Sequence, residues 1–171
     1  GSLVIFPFLY YETYGDDSLI KKYYPNMRRY VDYLKTRADT GILSFGLGDW
    51  YDYGDFRAGF SRNTPVPLVA TAHYYMTVMY LIKAARMVGN EFDVRYYSSL
   101  AYDIMVAFNK RFLDSNTAQY GTGSQASNAL PIFLQMIQST GDKGDYTPDA
   151  SLAAKVLTNL IKDVESHGNR L

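Results

Sequence analysis

Residues 65–89 read PVPLVATAHYYMTVMYLIKAARMVG. At helical spacing the run is apolar nearly all round, its ionisable breaks His73, Lys83 and Arg86 and its hydroxyls Thr71 and Thr77 aside. A helix apolar on every side belongs inside other protein. Its ends are marked as well. Asn63 or Thr64 stands where an N-cap belongs, and Pro65 sits near the first helical position. Gly89 occupies the place of a left-handed C-terminal cap.

Outward from this segment, apolar and amphipathic patterns alternate. Residues 3–15, LVIFPFLYYETYG, are again apolar nearly all round. Residues 16–39 are amphipathic, with Leu19, Tyr23, Met27, Tyr30, Val31 and Leu34 on the 3.6-residue period. Asp16 and Asp17 suit the positive end of that helix, and Lys35 and Arg37 its last turn. Pro25 predicts a kink or a late start. Residues 91–113 are amphipathic, with Tyr96, Leu100, Ile104 and Phe108 on one stripe. Residues 124–139 are largely apolar. Residues 148–167 are amphipathic, with Lys155, Lys162, Asp163 and Glu165 facing outward. Six helices are expected, inner and outer in turn, as three hairpins. The apolar patterns recur about every 60 residues, a weak architectural repeat. The fold class is all-α, of helical hairpins that can stack side by side into a ring.

In a ring of this kind the loops leading from an outer helix into an inner one open on one face. They are residues 39–64 and 114–123, and both are rich in Gly, Tyr and polar side chains. Long loops carrying aromatics and carboxylates are the expected place for function.

Composition narrows the possibilities. The 171 residues suit one domain, with 17 basic and 17 acidic side chains and no net charge. No basic excess points to nucleic acid. Cysteine is absent, which removes a disulfide framework and a thiolate zinc site. His73 and His167 are the only histidines, too few for a histidine-based metal site. No apolar run reaches the roughly 18–20 residues of a membrane span. Gly1 and Ser2 read as the remnant of a cleaved tag and are set apart from the fold. Seventeen tyrosines suit either a Tyr-rich core or a sugar cleft, since an aromatic face stacks on the C–H face of a pyranose.

The first loop contains FGLGDWYDYGDF, residues 45–56, with the chain's single tryptophan. Asp49, Asp52 and Asp55 admit three readings. Their spacing does not match a calcium loop, they suit turn-capping aspartates, and they suit a polar clamp on a carbohydrate beside Trp50. A glycosidase needs two carboxylates, about 5–5.5 Å apart for retention and roughly 6.5–9.5 Å for inversion. Asp49 with Asp52, Asp55 or Glu12 is open as such a pair, and spacing selects none. His73 reads as a core histidine. Gly121–Ser124 lacks the ending of a phosphate-binding loop. Gln125 suits a ligand donor or a helix cap equally. His167 serves a helix end.

Taken in order, GDW (48–50), NTP (63–65), TAHYY (71–75), AFNKRF (107–112), Tyr120 to Ala126 and HGNRL (167–171) resemble the catalytic domain of bacterial α-L-rhamnosidases. That resemblance implies a six-hairpin (α/α)6 toroid, of which residues 3–171 would supply about half. It implies inverting hydrolysis of terminal α-L-rhamnosides by the parent protein, without a cofactor. The family's general acid and general base are expected outside this chain, which is expected to be inactive alone. Trp50 would stack on the rhamnose, with Asp49 orienting the indole or bonding a hydroxyl. Tyr51, Tyr120 and Gln125 are substrate-binding candidates by location alone. The expected partner is a carbohydrate, and the open inner face of a half-ring is expected to drive self-association. The resemblance favours a periplasmic or secreted setting over a cytoplasmic one. Two other readings stand beside it: a toroid enzyme for another sugar, and a non-catalytic helical scaffold for a protein partner.

Overall fold

The computed structural model describes residues 1–50, 52, 59, 61–140 and 146–168. Six helices carry the described chain. They are α1 (Ser2–Tyr14), α2 (Ser18–Arg37), α3 (Val66–Met87), α4 (Glu91–Phe112), α5 (Gln125–Phe133) and α6 (Ala150–Ser166). Two short antiparallel ribbons complete it. β1 (Leu113–Asp114) pairs with β2 (Gln119–Tyr120), and β3 (Gln138–Thr140) with β4 (Tyr146–Pro148). The helices form three hairpins, α1–α2, α3–α4 and α5–α6, as the alternating pattern predicts.

The first two hairpins turn tightly because glycine accepts a left-handed backbone. Gly15 has φ 71° and its N–H donates to Tyr11 O at 2.8 Å. Gly89 has φ 74° and donates to Arg86 O. Asn90 comes next as the cap of α4. Its side chain accepts from Asp93 N at 3.1 Å and donates to the Asp93 carboxylate at 2.9 Å.

The centre of the fold is α3. It packs against α1, α2, α4 and α5. Twelve of its side chains are buried, from Leu68 to Ala85, and a narrow stripe of His73, Met79, Lys83 and Arg86 stays exposed, so the helix is not enclosed on every side. The other two apolar patterns behave differently. Only Val4, Pro7 and Phe8 of α1 are buried, and Leu3, Phe6 and Leu9 are exposed. In α5 the buried residues are Ser127, Asn128 and Pro131, while Phe133 is 76% exposed. Between α1 and α2 lies an open apolar groove of about 400 Å³, lined by Leu3, Phe6, Pro7, Tyr10, Leu19 and Tyr23.

Several expectations are corrected in detail. The buried stripe of α2 is Ile20, Tyr24, Met27, Val31 and Leu34, so Leu19 and Tyr23 fall on the groove side. Helix α2 begins at Ser18 and continues through Pro25, so the proline marks no late start. In α4 the stripe runs through Tyr97, Ala101, Ile104, Met105, Phe108 and Phe112. Tyr96 is exposed, and its hydroxyl accepts from Lys35 Nζ at 2.8 Å. No side chain caps α3: Thr64 is turned to Ser124 instead. Helix α5 stops at Phe133, short of Ser139. Pro131 removes a helical donor, and the backbone then turns through a left-handed Gln135, φ 55°. Beyond that turn Met136 is fully buried, and Asn109 Nδ2 holds its carbonyl at 2.7 Å.

A buried polar cluster locks α2 to α4. Asp93, 1% exposed, accepts from Tyr24 Oη at 2.5 Å and pairs with Arg28 Nε at 2.9 Å. One helix turn along, Tyr97 Oη donates to Asp32 at 2.9 Å. Burial and then the Asp93 carboxylate raise the Tyr24 pKa, so this phenol stays a donor. Asp93→Asn is expected to cost roughly 1.5–3 kcal/mol, the scale of a hydrogen bond to a charged group. Arg28 is partly exposed, so Arg28→Met should cost less, within about 1 kcal/mol. Urea midpoints at constant m-value check the order. Equal costs would show that the ion pair, and not the Tyr24 contact, ties the two helices.

Candidate functional site

The loop between α2 and α3 starts with a two-residue reversal. Thr40 (φ 46°) and Gly41 (φ 86°) both take positive φ, and Asp39 and Ile42 exchange backbone hydrogen bonds at 2.8 and 2.9 Å. That is the twist a tight hairpin requires. The chain is then pinned to α3. Leu43 N donates to Thr71 Oγ1 at 3.0 Å, and the hydroxyl returns a bond to Leu43 O.

Gly48 sets the path of the next residues. A Cβ there would lie 2.6 Å from Ser61 Cβ and 3.0 Å from Val66 Cγ2. With φ 68° as well, only glycine lets the strand run this close to the start of α3. Asp49 and Trp50 are delivered directly after it. Asp49 is half-buried, and Trp50 is 55% exposed. Burial, and then the nearby Asp52 carboxylate, raise the pKa of Asp49 from its ordinary value, against a hydrogen bond from the Thr64 side chain.

Asp52 has the opposite character. It is 8% exposed. Burial alone would raise its pKa, but donors outweigh it and the net shift is downward. Oδ2 accepts from Arg62 N at 2.8 Å and Asn63 N at 2.5 Å, and Oδ1 accepts from Asn63 Nδ2 at 2.8 Å. A carboxylate engaged this way is an internal lock between Asp52 and residues 62–63. Among the described residues no group of three His, Cys, Asp or Glu is placed to hold a metal ion. Asp55 and Tyr51 lie outside the described residues. Glu12 is exposed on α1.

The second loop comes to the same place. Thr122 Oγ1 donates to Asn63 O, and Thr64 Oγ1 and Ser124 Oγ lie 2.8 Å apart. Ser124 caps α5 by accepting from Ser127 N at 3.2 Å and donates onward to Ser127 Oγ at 2.8 Å. Gly121 (φ 56°) passes so close to Leu68 that a Cβ would lie 2.9 Å from its Cδ1. The two loops therefore share one face, as the order of inner and outer helices predicts. The residues that join them do not stand out in the sequence as site candidates. The dense run of Ser, Thr and Asn before Pro65 and before Gln125 is the signal that could have found them.

Tyr120 is not a surface residue. It is fully buried against Phe108, with ring centroids 5.6 Å apart, and its hydroxyl donates to Asn109 Oδ1 at 2.5 Å. Its location beside the second loop reflects packing under that loop, and it has no surface for a ligand. Gln125 is half-buried in the first turn of α5, where Ser124 and not Gln125 provides the cap. His73 is exposed on α3 and is not a core histidine. His167 serves the end of α6 as expected, with Nδ1 2.8 Å from Asp163 O. Of the five sequence candidates, Asp49 and Trp50 stand together, Gln125 opens the helix after the adjoining loop, and Tyr120 supports that loop from below.

Comparison with known proteins gives this arrangement a family. An alpha-L-rhamnosidase of Formosa agariphila is 29% identical over 112 residues, which are 63% of this chain and 12% of that protein. The solved alpha-L-rhamnosidase of Dictyoglumus thermophilum superposes with a TM-score of 0.81 at 29% identity, covering 97% of this chain and 18% of that one. A Streptomyces avermitilis alpha-L-rhamnosidase solved with L-rhamnose shares the fold, with a TM-score of 0.80 at 20% identity over 98% of this chain and 14% of its own. The chain thus spans less than a fifth of these relatives' length. Over all of residues 1–171 the sequence matches the family described as bacterial alpha-L-rhamnosidase 6 hairpin glycosidase domain. An all-α chain of three hairpins, with its polar loops gathered on one face, belongs to that family.

Proposed function

We propose that this chain forms one wall of the sugar pocket in an inverting α-L-rhamnosidase. The observation that carries the reading is the pairing of Trp50 and Asp49. An exposed indole and a half-buried carboxyl sit side by side on a loop anchored through Thr71, Gly48 and Asp52. A held indole offers a flat apolar platform to the C–H face of a sugar at small entropic cost. The methyl group of a 6-deoxy sugar adds apolar contact. The carboxyl accepts from ring hydroxyls, and ionised it makes the stronger bonds. Family likeness supports rhamnose as the sugar. In the whole enzyme a carboxylic acid would protonate the leaving oxygen while a carboxylate activates water from the opposite side. Asp52 is spent on internal donors, so Asp49 has no described partner for that pair. We assign both catalytic groups to other segments of the parent protein.

The isolated chain is therefore expected to bind sugar without turning it over. Trp50 is the only tryptophan, so its emission reports the loop without a label. Titration with L-rhamnose should give a saturable change that L-fucose, D-glucose and D-galactose do not. Saturation by one of those sugars instead would keep the pocket and discard rhamnose. No change with any of them would remove the sugar reading for this chain.

Trp50→Ala should abolish the rhamnose response in calorimetry and leave the melting temperature within a few degrees, because the indole is mostly outside the core. A large fall in melting temperature would make Trp50 a packing residue. No aryl α-L-rhamnoside hydrolysis is expected from the chain alone. Turnover lost in Asp49→Asn would place a catalytic group on this loop. The α1–α2 groove should make the isolated chain associate, and Phe6→Glu should return it to monomer in sedimentation. A wild-type monomer at every concentration would show that the groove stays solvated.

A further inference from the structure

The loop that carries Trp50 is held by a contact with a job beyond turn formation. An aspartate that merely caps a turn bonds a backbone N–H two or three residues away. The Asp52 carboxylate reaches Arg62 and Asn63, ten and eleven residues along the chain. Closing a segment of that length has an entropic cost, offset here by three donors converging on one buried carboxylate.

The backbone of Asp52 extends the tie in both directions. Its N–H donates to Asp49 O at 3.1 Å, and its carbonyl accepts from Gly59 N at 3.4 Å. Asn63 in turn offers its carbonyl to Thr122 of the second loop. An unbroken series of contacts therefore runs from Asp49, through Asp52 and Asn63, into the second loop. Trp50 lies inside the tied stretch.

We propose that Asp52 is the positioning residue of this site: its carboxylate fixes the Asp49–Trp50 stretch against residues 62–63 and so sets where the Trp50 indole stands. The proposal rests on the reading of Trp50 as the sugar platform. Asp52 touches no substrate and acts through its neighbours. An asparagine of the same shape presents only one oxygen, and its NH2 would meet N–H donors, so charge and acceptor count are both required.

The test compares the chain with Asp52→Asn and Asp52→Ala in three measurements. The readouts are thermal melting, acrylamide quenching of Trp50 without sugar, and L-rhamnose titration. Both variants should melt cooperatively, with Trp50 emission shifted and more open to quencher. Their rhamnose affinity should fall roughly tenfold, the scale of one lost charge-assisted hydrogen bond. Asp114→Asn is the control. Asp114 is exposed in the second loop and accepts from Asn116 N two residues away, so this change should leave all three readouts unmoved.

Unchanged emission and quenching in folded Asp52 variants would overturn the proposal. If those variants do not fold, Asn63→Ala, which removes the Nδ2 donor to Asp52 and keeps the backbone N–H, must give a smaller shift in the same direction. No shift there overturns it equally. A wild-type chain blind to every sugar would defeat the sugar reading alone, because the sugar-free quenching comparison still decides whether Asp52 places Trp50.

Discussion

Burial of α3 against four other helices is the constraint on which the rest of this structure depends. A helix with buried side chains from Leu68 to Ala85 around most of its circumference, all but the stripe of His73, Met79, Lys83 and Arg86, cannot satisfy itself with one partner. It needs α1, α2, α4 and α5 around it. The outer helices can then be amphipathic, since each has only one face to cover. Their mutual register is set by polar contacts instead, and the Asp93 cluster between α2 and α4 is the clearest. Apolar burial is non-directional; a carboxylate bonded by Tyr24, Arg28 and Asn90 is not.

The same helix organises the candidate site. Both polar loops end at helix starts that lie side by side, at Thr64–Val66 and at Ser124–Gln125. Because Thr64 and Ser124 bond each other and Thr122 bonds Asn63, the loops are joined where they meet the helical layer. Gly48 and Gly121 permit the close approach that this seam requires. Asp49 and Trp50 thus rest on a surface built by parts of the chain that are far apart in sequence.

Much of this is legible in the residues. The alternation of apolar and amphipathic segments predicts six helices in three hairpins, and Gly89 marks its turn correctly because positive φ is a local requirement. Where the pattern misleads, tertiary contacts override it. Helix α5 stops early because Met136 is taken into the core and its carbonyl is bonded by Asn109, a partner twenty-seven residues away that no local window contains. Tyr120 has the sequence setting of a loop aromatic, yet Asn109 and Phe108 enclose it. The α1 pattern promises burial, yet the described residues cover only one side of it. For the site, the GDW stretch is visible as an odd composition. The Asp52–Asn63 lock is not, because it depends on the path of the intervening chain.

The short turns at Gly15 and Gly89 bear on how the protein assembles as well as on its shape. Helices joined by so few residues meet through contacts close in sequence, and such contacts form fastest. A hairpin can therefore take shape as it leaves the ribosome, before the next one has been made. The seam between Thr64 and Ser124 has no such freedom, since its two sides lie sixty residues apart. It closes only once the α3–α4 hairpin and the start of α5 are both in place. The wall that carries Trp50 is thus completed by second-loop residues made after those that bear the indole.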